Sequence, residues 1–228
     1  WKNQFPGHYG HPPFDNIFFY NNLIGWAIAE GETYKTTNGG LDWFRSGGVP
    51  YGSGGYAVHY IDENIVWATR DDIYSGGISK STDGGITWVE KSTVGGNSIH
   101  FVDSNNGWVA GNSGSILKTT DGGETWISKM SGTTENLTAI KFYNSNIGMC
   151  IGSGGTVLLS TDGGESWALK NFGTTSDLNS IDFVNSNTVW IAGANSTILN
   201  TTDLGNNWTS YDGLTSSNLS SVNFVNEN

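Results

Sequence analysis

One cysteine, Cys150, stands in 228 residues, so no disulfide can form within the chain. It sits at a strand position and reads as a small buried hydrophobe. Positive charge is scarce: ten Lys and Arg face twenty-one Asp and Glu, a formal net charge of −11. No basic cluster occurs, so the electrostatic footprint of nucleic-acid binding is missing. No apolar run approaches the roughly 18 residues of a membrane span, so membrane insertion is not expected, and no stretch reads as a signal peptide. Charged residues make up only 14% of the chain. The surface is instead acidic and rich in Gly, Ser, Thr and Asn, which points to a secreted or cell-surface bacterial protein.

Glycine and tryptophan are abundant. The 33 glycines are about twice the usual share, as many tight turns require. The ten tryptophans supply the apolar volume that thin sheets need. Both concentrate in one stretch, KTTDGGETW ending at Trp126, which recurs as KTTNGGLDW ending at Trp43, KSTDGGITW at Trp88, LSTDGGESW at Trp167 and NTTDLGNNW at Trp208. In each copy a hydroxyl residue ends a strand and an Asp or Asn folds back onto turn N–H groups. Gly122 and Gly123 supply dihedrals that a Cβ forbids. Trp126 then opens the next strand with its ring across the hairpin.

A second series sets the metre. Trp26, Trp67, Trp108, Met149 and Trp190 lie 41 residues apart, each preceded by an alternating segment such as SIHFVD or SIDFVN. A period of roughly 40 residues with four short strands predicts an all-β propeller of four-stranded antiparallel blades. Five repeats are complete, with partial blades at both ends. Trp1 falls where a turn Trp should, and SVNFV begins a sixth inner strand. Residues 1–228 are therefore expected to be a single propeller domain cut from a longer chain with further domains. About 20 more residues would complete six repeats and about 60 would complete seven.

The turn pattern Ser/Thr-x-Asp-x-Gly-x-x-Trp resembles the Asp-box, or BNR, repeat. With (G/V)W-(V/I/A)-A-G ahead of it, the full unit looks most like the photosystem II stability/assembly factor family and its bacterial relatives. The resemblance covers nearly the whole chain. It implies that the boxes lie between third and fourth strands, on the face away from the usual active site. Asn38, Asp83, Asp121, Asp162 and Asp203 would then be structural, as would their partners Trp43, Trp88, Trp126, Trp167 and Trp208. A sialidase would need three arginines, and only Arg45 and Arg70 exist. A xyloglucanase would need two facing carboxylates. Glu32, Asp71 and Asp72 share only a loop location. A photosystem assembly factor would want a basic patch for an acidic partner, which this composition lacks.

One grouping is set apart by its asymmetry. Loops on the face opposite the boxes carry His8, Tyr9, His11, Tyr51, Tyr56, Arg70, Asp71, Asp72 and Tyr74, all from the leading segment and first two repeats. Aromatic rings with a few charges suit a protein or glycan partner. Inner-strand positions Phe18, His59, His100, Lys141, Asp182 and Asn223 form a second row, with Lys141 and Asp182 placed for an ion pair between blades. Two histidines without a third ligand make no metal site, and EF-hand spacing is absent, so neither metal nor cofactor is expected. Sequons stand at Asn136, Asn195, Asn200, Asn207 and Asn218. The reading is a non-catalytic scaffold, with a carbohydrate-active enzyme completed by residues elsewhere, or a photosystem-type assembly factor, as alternatives.

Overall fold

Period-two alternation of apolar and polar residues, rich in β-branched and aromatic side chains, is the pattern of half-buried strands. The computed structural model describes residues 16–29, 32–48, 57–70, 76–170, 173–211 and 217–224, and among these the regular elements are short strands and one-turn 3-10 helices. Two compact units divide the chain, residues 1–95 and 96–228.

Unit 1 holds two four-stranded antiparallel sheets. The first orders β1 (Asn16–Phe19), β2 (Gly25–Ala29), β3 (Glu32–Thr36) and β4 (Phe44–Gly48). The second orders β5 (Ala57–Tyr60), β6 (Val66–Arg70), β7 (Gly77–Ser81) and β8 (Val89–Ser92). Unit 2 holds three more. They are β9 (Ser98–Phe101), β10 (Gly107–Ala110), β11 (Ile116–Thr119) and β12 (Ile127–Lys129); β13 (Leu137–Phe142), β14 (Gly148–Gly152), β15 (Val157–Ser160) and β16 (Ala168–Leu169); and β17 (Leu178–Phe183), β18 (Val189–Gly193), β19 (Ile198–Thr201) and β20 (Thr209–Ser210).

All five sheets share one register. Phe18, His59, His100, Lys141 and Asp182 stand opposite Trp26, Trp67, Trp108, Met149 and Trp190 respectively. A one-residue slip in any sheet would turn its buried set to the other face, so the hydrophobic pattern fixes this register. Within unit 2, Trp108, Ile140, Phe142, Cys150 and Leu158 form one core between the third and fourth sheets. Met149, Ile151, Leu178, Ile181 and Ile191 form another between the fourth and fifth. In unit 1, Trp26, Tyr60 and Val66 fill the space between the first two sheets. Face-to-face stacking of four-stranded sheets from consecutive repeats is the blade packing of a β-propeller.

Of the expected sixth inner strand, the described residues form no regular strand. Residues 217–224 nevertheless lie against the fifth sheet as β13 lies against the third: Leu219 N–H donates to the Gly193 carbonyl at 3.0 Å, as Leu137 does to Gly111. Residues 1–15, including Trp1, are outside the described residues.

Candidate functional site

The box turn is a closed hydrogen-bond unit. In the third sheet the Thr119 hydroxyl donates to Asp121 Oδ1 at 2.8 Å and accepts the Gly123 N–H at 2.9 Å. Asp121 Oδ1 also accepts the Thr125 N–H, and its Oδ2 takes the Thr125 hydroxyl at 2.6 Å. Ser81, Ser160 and Thr201 repeat the hydroxyl's part, and Asp83, Asp162 and Asp203 the carboxylate's. The glycines do what the sequence required, since Gly122 and Gly123 have φ of 69° and 78°. In the fifth box Leu204 takes the first of these places at φ 56°, a conformation costly for a residue with a Cβ.

The donors set the acidity of these carboxylates. Asp121 and Asp162 are held down to about 2, first by the hydroxyls of Thr125 and Ser166 and then by the same residues' N–H groups. Asp83 is held at about 2 by Thr87 in the same way, and Asp203 at about 2 chiefly by the Asn207 backbone N–H. Hydrogen bonds to the ionised form produce such shifts. A carboxylate so fixed in its charged form is a poor general acid. The first box reverses the polarity of one bond: Asn38 Nδ2 donates to Asp42 Oδ2 at 2.9 Å, while Asn38 Oδ1 still accepts the Asp42 N–H.

A second turn recurs at the same end of each sheet, and the sequence reading missed it. Asn21, Asp62, Asp103, Asn144 and Asn185 each cap the connection between first and second strands by accepting N–H groups two and three residues on. The carbonyl within each such turn then accepts an N–H of its own sheet's box, as Asn105 does from Gly122 at 3.0 Å. These five residues also lie 41 apart, the signal that could have found them.

Consecutive blades are tied at the box. Trp26 Nε1 donates to the Gly84 carbonyl at 3.0 Å and Trp108 Nε1 to the Gly163 carbonyl at 2.9 Å. Trp126 and Trp167 pack edge-on against Phe101 and Phe142 of their own sheets, as Trp43 does against Phe19. Trp88 Nε1 donates to its own box at Gly85, and Trp208 packs against the apolar core between the fourth and fifth sheets. Lys118 reaches Glu165 in the next box at 2.7 Å, and Lys129 binds the other oxygen of the same carboxylate. Lys141 pairs with Asp182 at 2.6 Å, the ion pair that the 41-residue spacing suggested.

The opposite end of each sheet in unit 2 has a different surface. In unit 2 each connection between second and third strands is a 3-10 turn, at Asn112–Gly114, Ser153–Gly155 and Ala194–Ser196. A Cβ at Gly114 or Gly155 would lie 2.0 or 2.2 Å from the carbonyl of Thr133 or Thr174, so only glycine lets the turn approach the loop leaving its own blade. Shallow clefts of about 750 and 450 Å³ open beside these turns. The first is walled by Ser113, Lys129, Met130 and Thr133, the second by Gly154, Leu169, Lys170 and Thr174. Hydroxyls, glycines and lysine stems give no apolar pattern in sequence, so these clefts were not foreseen.

Of the predicted ligand-facing residues, Arg70 is described: it ends β6, half-buried. His8, Tyr9, His11, Tyr51, Tyr56, Asp71, Asp72 and Tyr74 lie outside the described residues. Glu32 is held in a two-pronged pair with Arg45. His100 Nδ1 accepts the Phe142 N–H at 3.3 Å. Cys150 is fully buried, and that burial pushes its thiol up. Among the described residues no three His, Cys, Asp or Glu side chains gather as a metal site, and no helix is long and apolar enough to cross a membrane.

The geometry matches known proteins. A family model described as photosynthesis system II assembly factor YCF48 matches residues 128–215. No curated protein matches the sequence. YCF48 from Cyanidioschyzon merolae is similar in structure, with a TM-score of 0.68 at 19% identity over 89% of this chain and 74% of that one. An ancestral GH74 enzyme gives a TM-score of 0.75 at 18% identity, covering 96% of this chain and 33% of that one. The computationally designed Ika8 protein gives 0.72 at 18% identity, covering 98% of this chain and 68% of that one. An assembly factor, an enzyme and a design share this architecture, so the likeness speaks of fold alone. The chain has the fold of a β-propeller built on Asp-box turns, and residues 128–215 of it match the assembly-factor family model.

Proposed function

We propose that the chain is a non-catalytic propeller module of a secreted or cell-surface protein, binding a protein partner through the rim opposite its boxes. The observation that carries this reading is the closure of the box chemistry. All five Asp or Asn side chains spend their oxygens on their own turns, whereas the opposite loops carry open clefts lined by glycines and hydroxyls. The matching family's description as an assembly factor supports a protein partner over a sugar. Stacked rigid blades would hold the loops with little ordering cost on binding. A glycan array, a xyloglucan hydrolysis assay and crosslinking to proteins secreted by the source cell test it together. Crosslinks from the turns at 112–114 and 153–155, without glycan binding or sugar release, are the expected result. Release of oligosaccharides by the chain would overturn it.

A further inference from the structure

Lys35 and Lys118 hold the same place in their repeats, on the third strand immediately before the box hydroxyl residue. Each ammonium lies over the first glycine of the next box: a Cβ built on Gly84 would stand 3.0 Å from Lys35 Nζ, and one on Gly163 would stand 3.4 Å from Lys118 Nζ. Their partners differ. Lys118 is neutralised by Glu165, which also takes Lys129. The residue at the Glu165 place in the second box is Ile86, and the residue at the Lys129 place in β4 is Ser46. Lys35 therefore keeps only the Glu63 carbonyl at 3.2 Å and the face of Trp26, 5.0 Å from the ring centroid, with no carboxylate among the described residues.

Loss of the clamp leaves a cleft of about 280 Å³ between the first and second sheets, lined by Lys35, Phe44, Arg45, Ser46, Asp83 and Ile86. Phe44 and Ile86 are 62% and 59% exposed, and Leu41 and Val89 on the same two hairpins are 69% and 60% exposed. The other charges facing the cleft are committed. Asp83 is saturated by Ser81, Ile86 and Thr87, and Arg45 by Glu32. An ammonium at the side of an apolar cleft, in a fold that elsewhere seats a glutamate on that same ammonium, selects one chemistry. We infer that this cleft binds an extended segment of a partner protein in which a glutamate stands beside large apolar residues, its carboxylate taking over Lys35 the place that Glu165 takes over Lys118. Phe44 and Ile86 in the cleft, with Leu41 and Val89 on the same two hairpins, offer more apolar surface than a small carboxylic acid would cover, which favours a peptide. This surface lies at the boxes, so it stands independently of the loop rim.

The test is amide NMR of the 228-residue chain titrated with N-acetyl-Leu-Phe-Glu-Leu amide, its Phe-Gln counterpart, and propionate. Saturable shifts confined to residues 35–46 and 83–89, at least about tenfold tighter for the Glu peptide than for the Gln peptide, are expected. Ile86→Glu places the missing carboxylate on the protein itself, and should raise the melting temperature while abolishing peptide binding. Lys35→Met should keep the fold and erase the preference for Glu. Equal binding of both peptides, saturation by propionate as tight as by peptide, no saturable shift at millimolar peptide, or unchanged binding in Ile86→Glu would each overturn the inference.

Discussion

The indole N–H of Trp108 donates to the carbonyl of Gly163, 55 residues away in the next blade, at 2.9 Å, and the Trp108 ring stacks on Phe142 of that blade with centroids 3.6 Å apart. One side chain thus joins the strand landmark of one repeat to the box turn of the next. Trp26 makes the same bond to Gly84 and stacks on Tyr60. In the fourth blade Met149 takes the position, with its Cε 3.3 Å from where a Cβ on Gly205 would stand.

Trp108→Ala should destabilise unit 2 by about 3–5 kcal/mol, the range for truncating a fully buried aromatic. Trp108→Phe keeps a ring on Phe142 but orphans the Gly163 carbonyl, and should cost about 1–3 kcal/mol. Chemical denaturation of the variants, compared at equal m-value, measures both.

Thr119→Val keeps shape and strand propensity but removes the acceptor of the Gly123 N–H and the donor to Asp121. Thr119 is 1% exposed, so the orphaned N–H should cost about 1–3 kcal/mol. Thr119→Ser should be close to neutral, because Ser81 and Ser160 make the same two bonds in their own boxes. Urea midpoints of the two variants separate hydroxyl chemistry from packing.

Asn38→Asp turns an amide donor into a second carboxylate facing Asp42. Repulsion at contact distance in a solvated turn should cost about 1 kcal/mol at neutral pH. Adding Asp42→Thr rebuilds the arrangement of Asp83 with Thr87 and should restore the loss. A double-mutant cycle read by thermal melts checks the coupling.

Acid should weaken the boxes with a definite sign. Asp83, Asp121, Asp162 and Asp203 sit at about 2 when folded, against about 3.9 in an unfolded chain. Between these values the unfolded state binds more protons, so stability rises with pH there. The melting temperature should be flat above about pH 5 and fall steadily as pH drops through 4 toward 2. A box variant with all four carboxylates changed to Asn should lose most of that dependence.

Much of this fold was legible because each repeat states its own geometry. The 41-residue metre located all five sheets, and the alternation around Ile99, His100 and Phe101 agrees with the observed burial of Ile99 and Phe101. Spacing alone also found the pair of Lys141 and Asp182. Less was legible where a contact joins unlike positions of adjacent repeats. The pair of Lys118 and Glu165 crosses 47 residues and links a strand to a turn, so no single period reveals it. The box tryptophans also differ in ways that the repeat does not show: Trp88 Nε1 donates to Gly85 at 3.1 Å, whereas the Trp167 indole nitrogen is buried without a partner among the described residues. The clefts beside Ser113 and Gly154 escaped notice because backbone approach at a glycine, rather than side-chain chemistry, creates them.

The account rests on the tie between a blade and the next box, and hydrogen exchange at the tryptophan indoles reads it directly. The Nε1–H protons of Trp26 and Trp108 should exchange only on opening of their units, many orders of magnitude more slowly than a free indole. Exchange of either proton at the rate of a solvent-exposed indole, in a chain that is otherwise folded, would contradict it.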